Sequence, residues 1–353
     1  LDKERRHRRS GIFSEIQHST SATRRAPSSI QNPKSNIQNL PRSGTTMSPI
    51  GFIILINPRS PLEQTERLIR TLNRMFDQPP IVCHHDFGQN PRFIENCPDN
   101  VKLVRPHVAT KWGDFSCVEA TIEALRLLYA GGNGPQWFVH LSGADYPIKP
   151  ARQILAELQA SPFDGHIEHK LVSEGNLHYP PDPDYPRGWK WESWLQQCKK
   201  RYCSRPVKVR GINRYLRPST RTFWLTHPLF TRGRHPFTPD FKCYAGEVWF
   251  CANHRCARRI LDFYDQNPQV AAHYRDKLVP EESYLHTVLA NSPDLKLSQN
   301  YLRYVDWTRS GNNPKILTME DLPMLRESPA HFARKFDENI DGAILNELDI
   351  LIV

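Results

Sequence analysis

Ile50-Gly51-Phe52-Ile53-Ile54-Leu55-Ile56 is the longest apolar stretch of the chain, and it has the length of a buried strand. We read that strand over residues 51–57. Just downstream, Leu62, Leu68, Ile69, Leu72 and Met75 recur at roughly helical spacing and predict a helix over 61–76. Residues 80–86 and 101–104 predict a second and a third strand. Ser116, with Glu119 three residues on, has the capping-box pattern and predicts a helix over 115–129. A fourth strand over 137–143 opens into a loop at 144–149, and a helix follows over 150–158. Strand and helix alternating at this rhythm specify an α/β fold, a mostly parallel sheet flanked by helices on both faces. Residues 176–240 are rich in Pro, Trp, Arg and Tyr and lack periodicity, so they read as a long, ordered loop region over the sheet. Strand pattern returns over 244–252, and helices follow over 254–266 and 281–290.

The 353 residues carry 47 Lys and Arg against 37 Asp and Glu, a net charge of +10. Residues 1–46 hold nine of the basic and three of the acidic residues. This segment lacks hydrophobic periodicity and is expected to be a disordered basic tail. The chain begins with Leu, and Met47 stands directly before the first strand, so we expect Met47 to be the true start. Residues 47–353 read as one domain, whose modest positive excess suits a small phosphorylated ligand rather than nucleic acid. No apolar run reaches the roughly 18 residues of a membrane span, and no secretory signal precedes the core. These features predict a cytoplasmic or peripherally membrane-associated protein. The eight cysteines include no CxxC pair, which disfavours structural zinc, and they read as reduced, structural thiols.

In open α/β sheets ligands bind beyond the carboxyl ends of the strands. Two strand ends are chemically loaded: Cys83-His84-His85-Asp86, and His140-Leu141-Ser142-Gly143-Ala144-Asp145-Tyr146-Pro147. Neither has a GxGxxG fingerprint or a Walker lysine loop. His84 and His85 are adjacent on a strand and point to opposite faces, which argues against a shared metal. Asp86 is placed to accept from a base N–H or a ribose hydroxyl. The second strand end offers a single acid, Asp145, where metal-dependent nucleotide-sugar enzymes use two acids one residue apart. Asp182-Pro183-Asp184 has that spacing but lies in a Pro-rich loop. A nucleotide diphosphate would then be neutralised by side chains, for which Arg303, Arg309, Arg334 and Lys335 are candidates. Pro280-Glu281-Glu282 opens a predicted helix; its acids read equally well as dipole partners or as a positioned general base.

Seven motifs together resemble one family, the core-2/I-branching N-acetylglucosaminyltransferases (glycosyltransferase family 14), which includes the peptide O-xylosyltransferases. They are Lys111-Trp112-Gly113; Leu141-Ser142-Gly143-Ala144-Asp145-Tyr146-Pro147-Ile148; Lys199-Lys200-Arg201-Tyr202; Gly246-Glu247-Val248-Trp249-Phe250; Pro280-Glu281-Glu282-Ser283-Tyr284-Leu285-His286-Thr287-Val288-Leu289; Asn300-Tyr301-Leu302-Arg303 with Val305-Asp306-Trp307; and Phe332-Ala333-Arg334-Lys335-Phe336-Asp337. They stand in the family's order, and the later ones resemble the xylosyltransferase branch most.

The resemblance implies a GT-A-like, Rossmann-type nucleotide-sugar fold, a UDP-sugar donor, inversion at the anomeric carbon, and neither metal nor cofactor. It implies Glu282 as catalytic base, and Lys335 and Arg303 as the diphosphate clamp with Arg334 beside them. Asp86 and Asp145 would contact the nucleoside or donor, and Glu168 and Trp249 the acceptor. The acceptor would be a glycan, a peptide or a lipid-linked sugar. Trp189, Trp191, Trp194 and Tyr202 are candidates either for stacking on acceptor sugars or for plain packing. Xylosyltransferases carry Asp where this chain has Val248, and they carry a cysteine-rich insertion that is missing here, so the donor stays open between xylose and N-acetylglucosamine. The alternatives are a non-catalytic carbohydrate-binding protein on the same fold, a basic nucleic-acid binder, and a hydrolase, which would need a second facing carboxylate.

Overall fold

The computed structural model describes residues 47–93, 97–172, 191–208, 222–225, 235–308 and 313–352. The tail 1–46, the Asp182-Pro183-Asp184 segment, Trp189 and Arg309 lie outside them.

The elements run in the order β1 (Ile50–Ile56), α1 (Leu62–Phe76), β2 (Ile81–His85), β3 (Val101–Leu103), α2 (Ser116–Leu128), β4 (Trp137–Ser142), β5 (Asp145–Pro147), α3 (Ala151–Ala160), β6 (Gly165–His166) and β7 (Lys170–Leu171). They continue with α4 (Trp191–Cys203), β8 (Arg205–Lys208), β9 (Thr222–Leu225), β10 (Tyr244–Ala245), β11 (Cys251–Asn253), α5 (His254–Gln266), α6 (Pro268–Tyr274), α7 (Tyr284–Ala290), β12 (Leu297–Ser298), β13 (Arg303–Val305), α8 (Leu322–Glu327), β14 (Phe332–Arg334), α9 (Glu338–Asp341) and α10 (Ala343–Leu351).

The main sheet has seven strands in the order β12-β6-β11-β4-β1-β2-β3. Its β4-β1-β2-β3 half is parallel, and β11 enters antiparallel to both β4 and β6. Strand alternation sorts the apolar side chains into two layers. Phe52, Ile54, Ile81 and Leu141 pack on one face with Leu68 and Leu72 of α1 and Leu345 of α10. Ile53, Val82 and Phe138 pack on the other with Ile122 of α2 and Ile260 and Phe263 of α5. This is the α/β architecture that the alternation of strand and helix specifies. Gly51 has a steric reason to be glycine, because a Cβ there would lie 2.6 Å from Pro135 Cγ and 3.0 Å from the Pro80 carbonyl oxygen.

Four local expectations are corrected. Ser116 does not cap α2: it lies inside the first turn, and its N–H donates to Asp114 Oδ1 at 3.0 Å. The strand expected over 244–252 is interrupted, and only its ends, β10 and β11, pair. Between them Gly246 approaches the Glu168 main chain so closely that a Cβ would lie 2.1 Å from the carbonyl oxygen. The helix expected over 281–290 begins only at Tyr284, because Glu281 and Glu282 belong to a separate 3-10 turn, Pro280–Glu282. The region 176–240, expected to be loop, contains α4 and the β8–β9 pair.

A second, three-stranded sheet, β13-β14-β5, carries the chemistry. Phe332-Ala333-Arg334 pairs in parallel with Arg303–Val305 and antiparallel with Asp145–Pro147. Arg334 stands opposite Asp145, and Arg303 opposite Phe332. Side chains two apart on a strand share a face, so Arg303, Arg334 and Asp145 meet on one side of this sheet.

Candidate active site

Glu282 is held from three directions. Its carbonyl oxygen accepts from the Gly246 N–H at 2.9 Å. The preceding Val279, at φ 55°, donates its N–H to the carbonyl oxygen of Gly113, itself at φ 69°, at 2.9 Å. The Lys111-Trp112-Gly113 motif therefore buttresses the turn that presents Glu282, and glycine suits this left-handed position because it lacks a Cβ. From the third side comes the last turn of α4. Tyr202 Oη donates to the Val279 carbonyl oxygen at 2.7 Å, and Arg201 Nη1 donates to Glu282 Oε2 at 2.9 Å. The Arg201 and Glu282 side chains are 19% and 27% exposed, so the pair keeps a solvent-facing edge. Burial pushes the Glu282 carboxyl above its ordinary range, the Arg201 guanidinium opposes that, and Glu168 adds to it.

The neighbouring Glu281 has a different setting. Its Oε2 has no hydrogen-bond partner among the described residues, and burial raises its pKa to about 7, with Glu282 and Asp114 as further raising neighbours. The structure thus separates two adjacent acids that sequence leaves equivalent: of the two, Glu282 is the one hydrogen-bonded to a guanidinium.

Glu168 and Glu247 stand close enough to Glu282 to act on its charge or feel it. Glu168 is buried, forms an ion pair with Lys170, and accepts from the Glu247 N–H at 3.1 Å. Glu247 Oε1 accepts from Trp307 Nε1 at 3.1 Å, and its carbonyl oxygen is bonded to His286 Nε2 at 2.8 Å. Burial, Glu168 and Glu282 push the Glu247 carboxyl up, and Arg334 and the Trp307 bond only partly offset them, leaving its pKa at about 8.

The cations stand on the three-stranded sheet, with Arg334 near enough to Glu247 to act on its charge. The Arg303 side chain is 1% exposed and that of Asp145 is fully buried; Arg303 Nη1 stands 3.2 Å from Asp145 Oδ1, and its Nη2 donates to the His140 carbonyl oxygen at 3.0 Å. Asp145 Oδ2 also accepts from the Ser142 N–H at 2.8 Å and from Ser142 Oγ at 2.5 Å. Arg334, 13% exposed, holds its Nε 3.7 Å from Asp145 Oδ1 and its guanidinium carbon 4.5 Å from the centre of the Trp249 ring. Asp145 Oδ1, Arg303 Nε and Nη1, and Arg334 Nε have no hydrogen-bond partner among the described residues. Lys335, next in sequence, is half-exposed.

The geometry revises several residue assignments made from sequence. Arg303 lies beneath the surface, paired with Asp145, whereas Arg334 and Lys335 each keep a solvent-facing part. Asp145 is closed to solvent and acts as their counter-charge rather than as a free nucleoside contact. Asp86 is equally occupied: its carboxylate accepts from the Gly88, Gln89 and Thr110 N–H groups, from Gln89 Nε2 and from Thr110 Oγ1. Burial alone would raise its pKa, but these bonds outweigh burial and hold it at about 2. Trp249 is half-buried, with Arg334 on its ring and the His140 ring 4.9 Å away. Tyr202 is buried in the core and anchors the Glu282 turn. His84 and His85 bond separately, to Val108 and Asn90. Among the described residues no group of three or more His, Cys, Asp or Glu is arranged to hold a metal ion.

Sequence reading missed Arg201 and Glu247 as site residues, although both lie inside motifs singled out above. A cation in the Lys199–Tyr202 run looks like helix-surface charge until α4 is docked against the 3-10 turn. Glu247 looks like a strand residue until Gly246 breaks the strand.

No disulfide joins any of the eight cysteines, and five of them are buried. No helix among the described residues is long and apolar enough to cross a membrane.

Comparison with known proteins gives these features a family. Beta-glucuronosyltransferase GlcAT14A of Arabidopsis thaliana is 26% identical over 258 residues, covering 70% of this chain and 51% of the relative. Xylosyltransferase 2 of Rattus norvegicus is 25% identical over 326 residues, covering 85% of this chain and 33% of the relative. The chain thus spans between a third and a half of the length of these curated relatives. Among solved structures, a 4-diphosphocytidyl-2C-methyl-D-erythritol synthase from Anaerococcus prevotii aligns with 79% of this chain at 14% identity and a TM-score of 0.34, too low to bear on function. The family profile described as Core-2/I-Branching enzyme matches residues 50–176 and 184–324, and it takes in six of the seven motifs, all but Phe332–Asp337. With that match over most of its length, the chain belongs to the Core-2/I-Branching enzyme family.

Proposed function

We propose that this chain is an inverting, metal-independent glycosyltransferase that moves a sugar from a UDP-sugar to an acceptor hydroxyl. One observation carries the reading: the 246–249 segment links an Arg-paired carboxylate of raised pKa, Glu282, to the Arg334 guanidinium, since Gly246 bonds the Glu282 main chain, Trp249 lies under Arg334, and Glu247 feels the charge of both. An acceptor hydroxyl attacks well only as its proton leaves. Glu282 takes that proton while the hydroxyl oxygen bonds to the anomeric carbon; such a positioned base is worth about 10²–10⁴-fold. The bond from the anomeric carbon to the β-phosphate oxygen breaks on the opposite face, and UDP leaves with the electron pair. Arg334 and Lys335 stabilise the charge that develops on the β-phosphate, and Arg303 sets the local potential from beneath.

Three donors are in view: N-acetylglucosamine from the motif resemblance, xylose from that resemblance and from the name of Xylosyltransferase 2, and glucuronic acid from the name of GlcAT14A. A glycan, a peptide or a lipid-linked sugar is the acceptor class.

Calorimetric titration of UDP, with and without EDTA, into the wild type and Lys335→Ala tests the proposal. Binding that survives EDTA and weakens about tenfold in the variant, the loss of one charge-assisted contact, is the expected result. Absence of UDP binding would overturn the transferase reading in favour of a carbohydrate-binding protein, and binding abolished by EDTA would overturn metal independence.

A further inference from the structure

The segment 246–249 joins the Glu282 turn to the Arg334 guanidinium. Gly246 donates its N–H to the carbonyl oxygen of Glu282, and Trp249 lies under the Arg334 guanidinium. Glu247 lies between them, its main chain fixed on both sides by Glu168 and His286 and its Oε1 fixed by Trp307. In a displacement between a base at Glu282 and a leaving diphosphate at Arg334 and Lys335, the transferred sugar occupies the interval that Glu247 borders. The residue is half-buried, and the hydrogen bond its carboxyl makes, from Trp307, falls on Oε1.

We propose that Glu247 contacts the transferred sugar through this carboxyl and restricts the donor to an uncharged sugar. The proposal rests on the glycosyl-transfer reading above and narrows its donor class.

The charges around Glu247 support it. Glu168 faces it from the segment between β6 and β7, Glu282 from the 3-10 turn, Arg334 from β14 and Trp307 from beyond β13. His286 of α7 meets its carbonyl oxygen. Two carboxylates and burial keep the Glu247 proton on at neutral pH, so Oε2 presents an O–H that can donate to a sugar hydroxyl. A uronic acid would bring a further carboxylate into this group, where the cations are committed: Lys170 to Glu168, Arg201 to Glu282, Arg303 to Asp145, and Arg334 with Lys335 to the diphosphate. An added anion without its own partner in a partly desolvated cleft is costly.

The experiment is calorimetry at pH 7 and pH 9 with UDP, UDP-xylose, UDP-N-acetylglucosamine and UDP-glucuronic acid, on the wild type and Glu247→Gln. UDP lacks the sugar and reports the diphosphate contacts alone. The wild type is expected to bind at least one neutral donor about tenfold or more tighter than UDP-glucuronic acid at pH 7, the scale of a site-built hydrogen bond and charge exclusion. The neutral sugar's gain over UDP should shrink in the wild type at pH 9, as the Glu247 proton is lost, and should be the same at both pH values in Glu247→Gln, whose amide cannot ionise. Trp307→Phe, which removes the N–H held by Glu247 Oε1, should move the wild-type transition further upward.

A preference for UDP-glucuronic acid would overturn the proposal, as would a sugar gain in the wild type with the same pH dependence as in Glu247→Gln. If UDP binds in those cases, the transferase reading survives alone. If UDP fails to bind, both fall together.

Discussion

Removing the charge of Arg201 tests the core of the site. Arg201→Met keeps most of the aliphatic stem and deletes the guanidinium that meets Glu282 Oε2 at 2.9 Å. With the charge centres roughly 4 Å apart and an effective dielectric of about 20, the Coulomb attraction is about 4 kcal/mol. Both side chains keep a solvent-facing edge, at 19% and 27% exposure, and screening reduces the effective loss to roughly 1.5–2 kcal/mol. At 1.4 kcal/mol per decade this is a ten- to thirtyfold drop, about one order of magnitude or slightly more, in the ionised fraction of Glu282 on the acid side of its titration. The sign follows from the direction of the shift. Burial already holds the Glu282 pKa above its ordinary value, the base works only when deprotonated, and activity is lost as pH falls through that pKa. Without Arg201 the pKa rises further, so the loss begins at higher pH.

The assay is UDP release from the UDP-sugar, as kcat/KM between pH 5.5 and 8.5, with an acceptor that supports turnover. Arg201→Met should be about tenfold or more below wild type at the acid end, with the ratio narrowing as pH rises. Arg201→Lys should restore much of the acid limb, and Glu282→Gln should be inactive throughout. A ratio of Arg201→Met to wild type that is constant across pH would refute the reasoning, since it would mean that Arg201 acts on the acceptor or on folding and not on the base.

Three further outcomes are expected. Gly246→Ala would bring a Cβ within 2.1 Å of the Glu168 carbonyl oxygen, so urea denaturation should show a loss of about 1–3 kcal/mol, the cost of overpacking. Asp145→Ala leaves the Arg303 guanidinium buried beside Arg334 without a counter-charge, and should cost about 3–5 kcal/mol by the same measurement. Asp86→Asn weakens the hydrogen bonds that tie Gly88, Gln89 and Thr110 together, so amide exchange in that loop should speed up. The variant's stability should also lose the dependence on pH that Asp86 contributes: that contribution is full above the ordinary aspartate range and fades as pH falls toward about 2.

Local pattern carries information where one element's own side chains decide its state. The alternation in Ile50–Ile56 places Ile53 on one face and Phe52 and Ile54 on the other, and the structure packs them into two separate layers. The 3.6-residue rhythm of 62–75 buries Leu68, Ile69 and Leu72. Motif order reaches further, since six of the seven motifs that carry the resemblance lie inside the family match. Glu282, Lys335 and Arg334 were all recognisable as polar groups near element ends. Their standing relative to one another was not. The capping-box pattern at Ser116 and Glu119 failed because Asp114 reached the helix start first, and Glu119 instead pairs with Arg275 from far along the chain.

Tertiary structure decided everything that depends on pairing across long separations. Glu282 differs from Glu281 because α4 delivers Arg201 from 81 residues earlier. Arg303, Arg334 and Asp145 become one charge cluster because β13, β14 and β5 pair in a particular register, in which Arg303 is sealed in and Arg334 keeps a solvent-facing part. Burial and charge balance are sums over neighbours that no local window contains. For that reason residue types and periods specified the layers of the fold, while the protonation, reach and partners of the site's carboxylates and guanidinium groups arose only when the chain closed on itself.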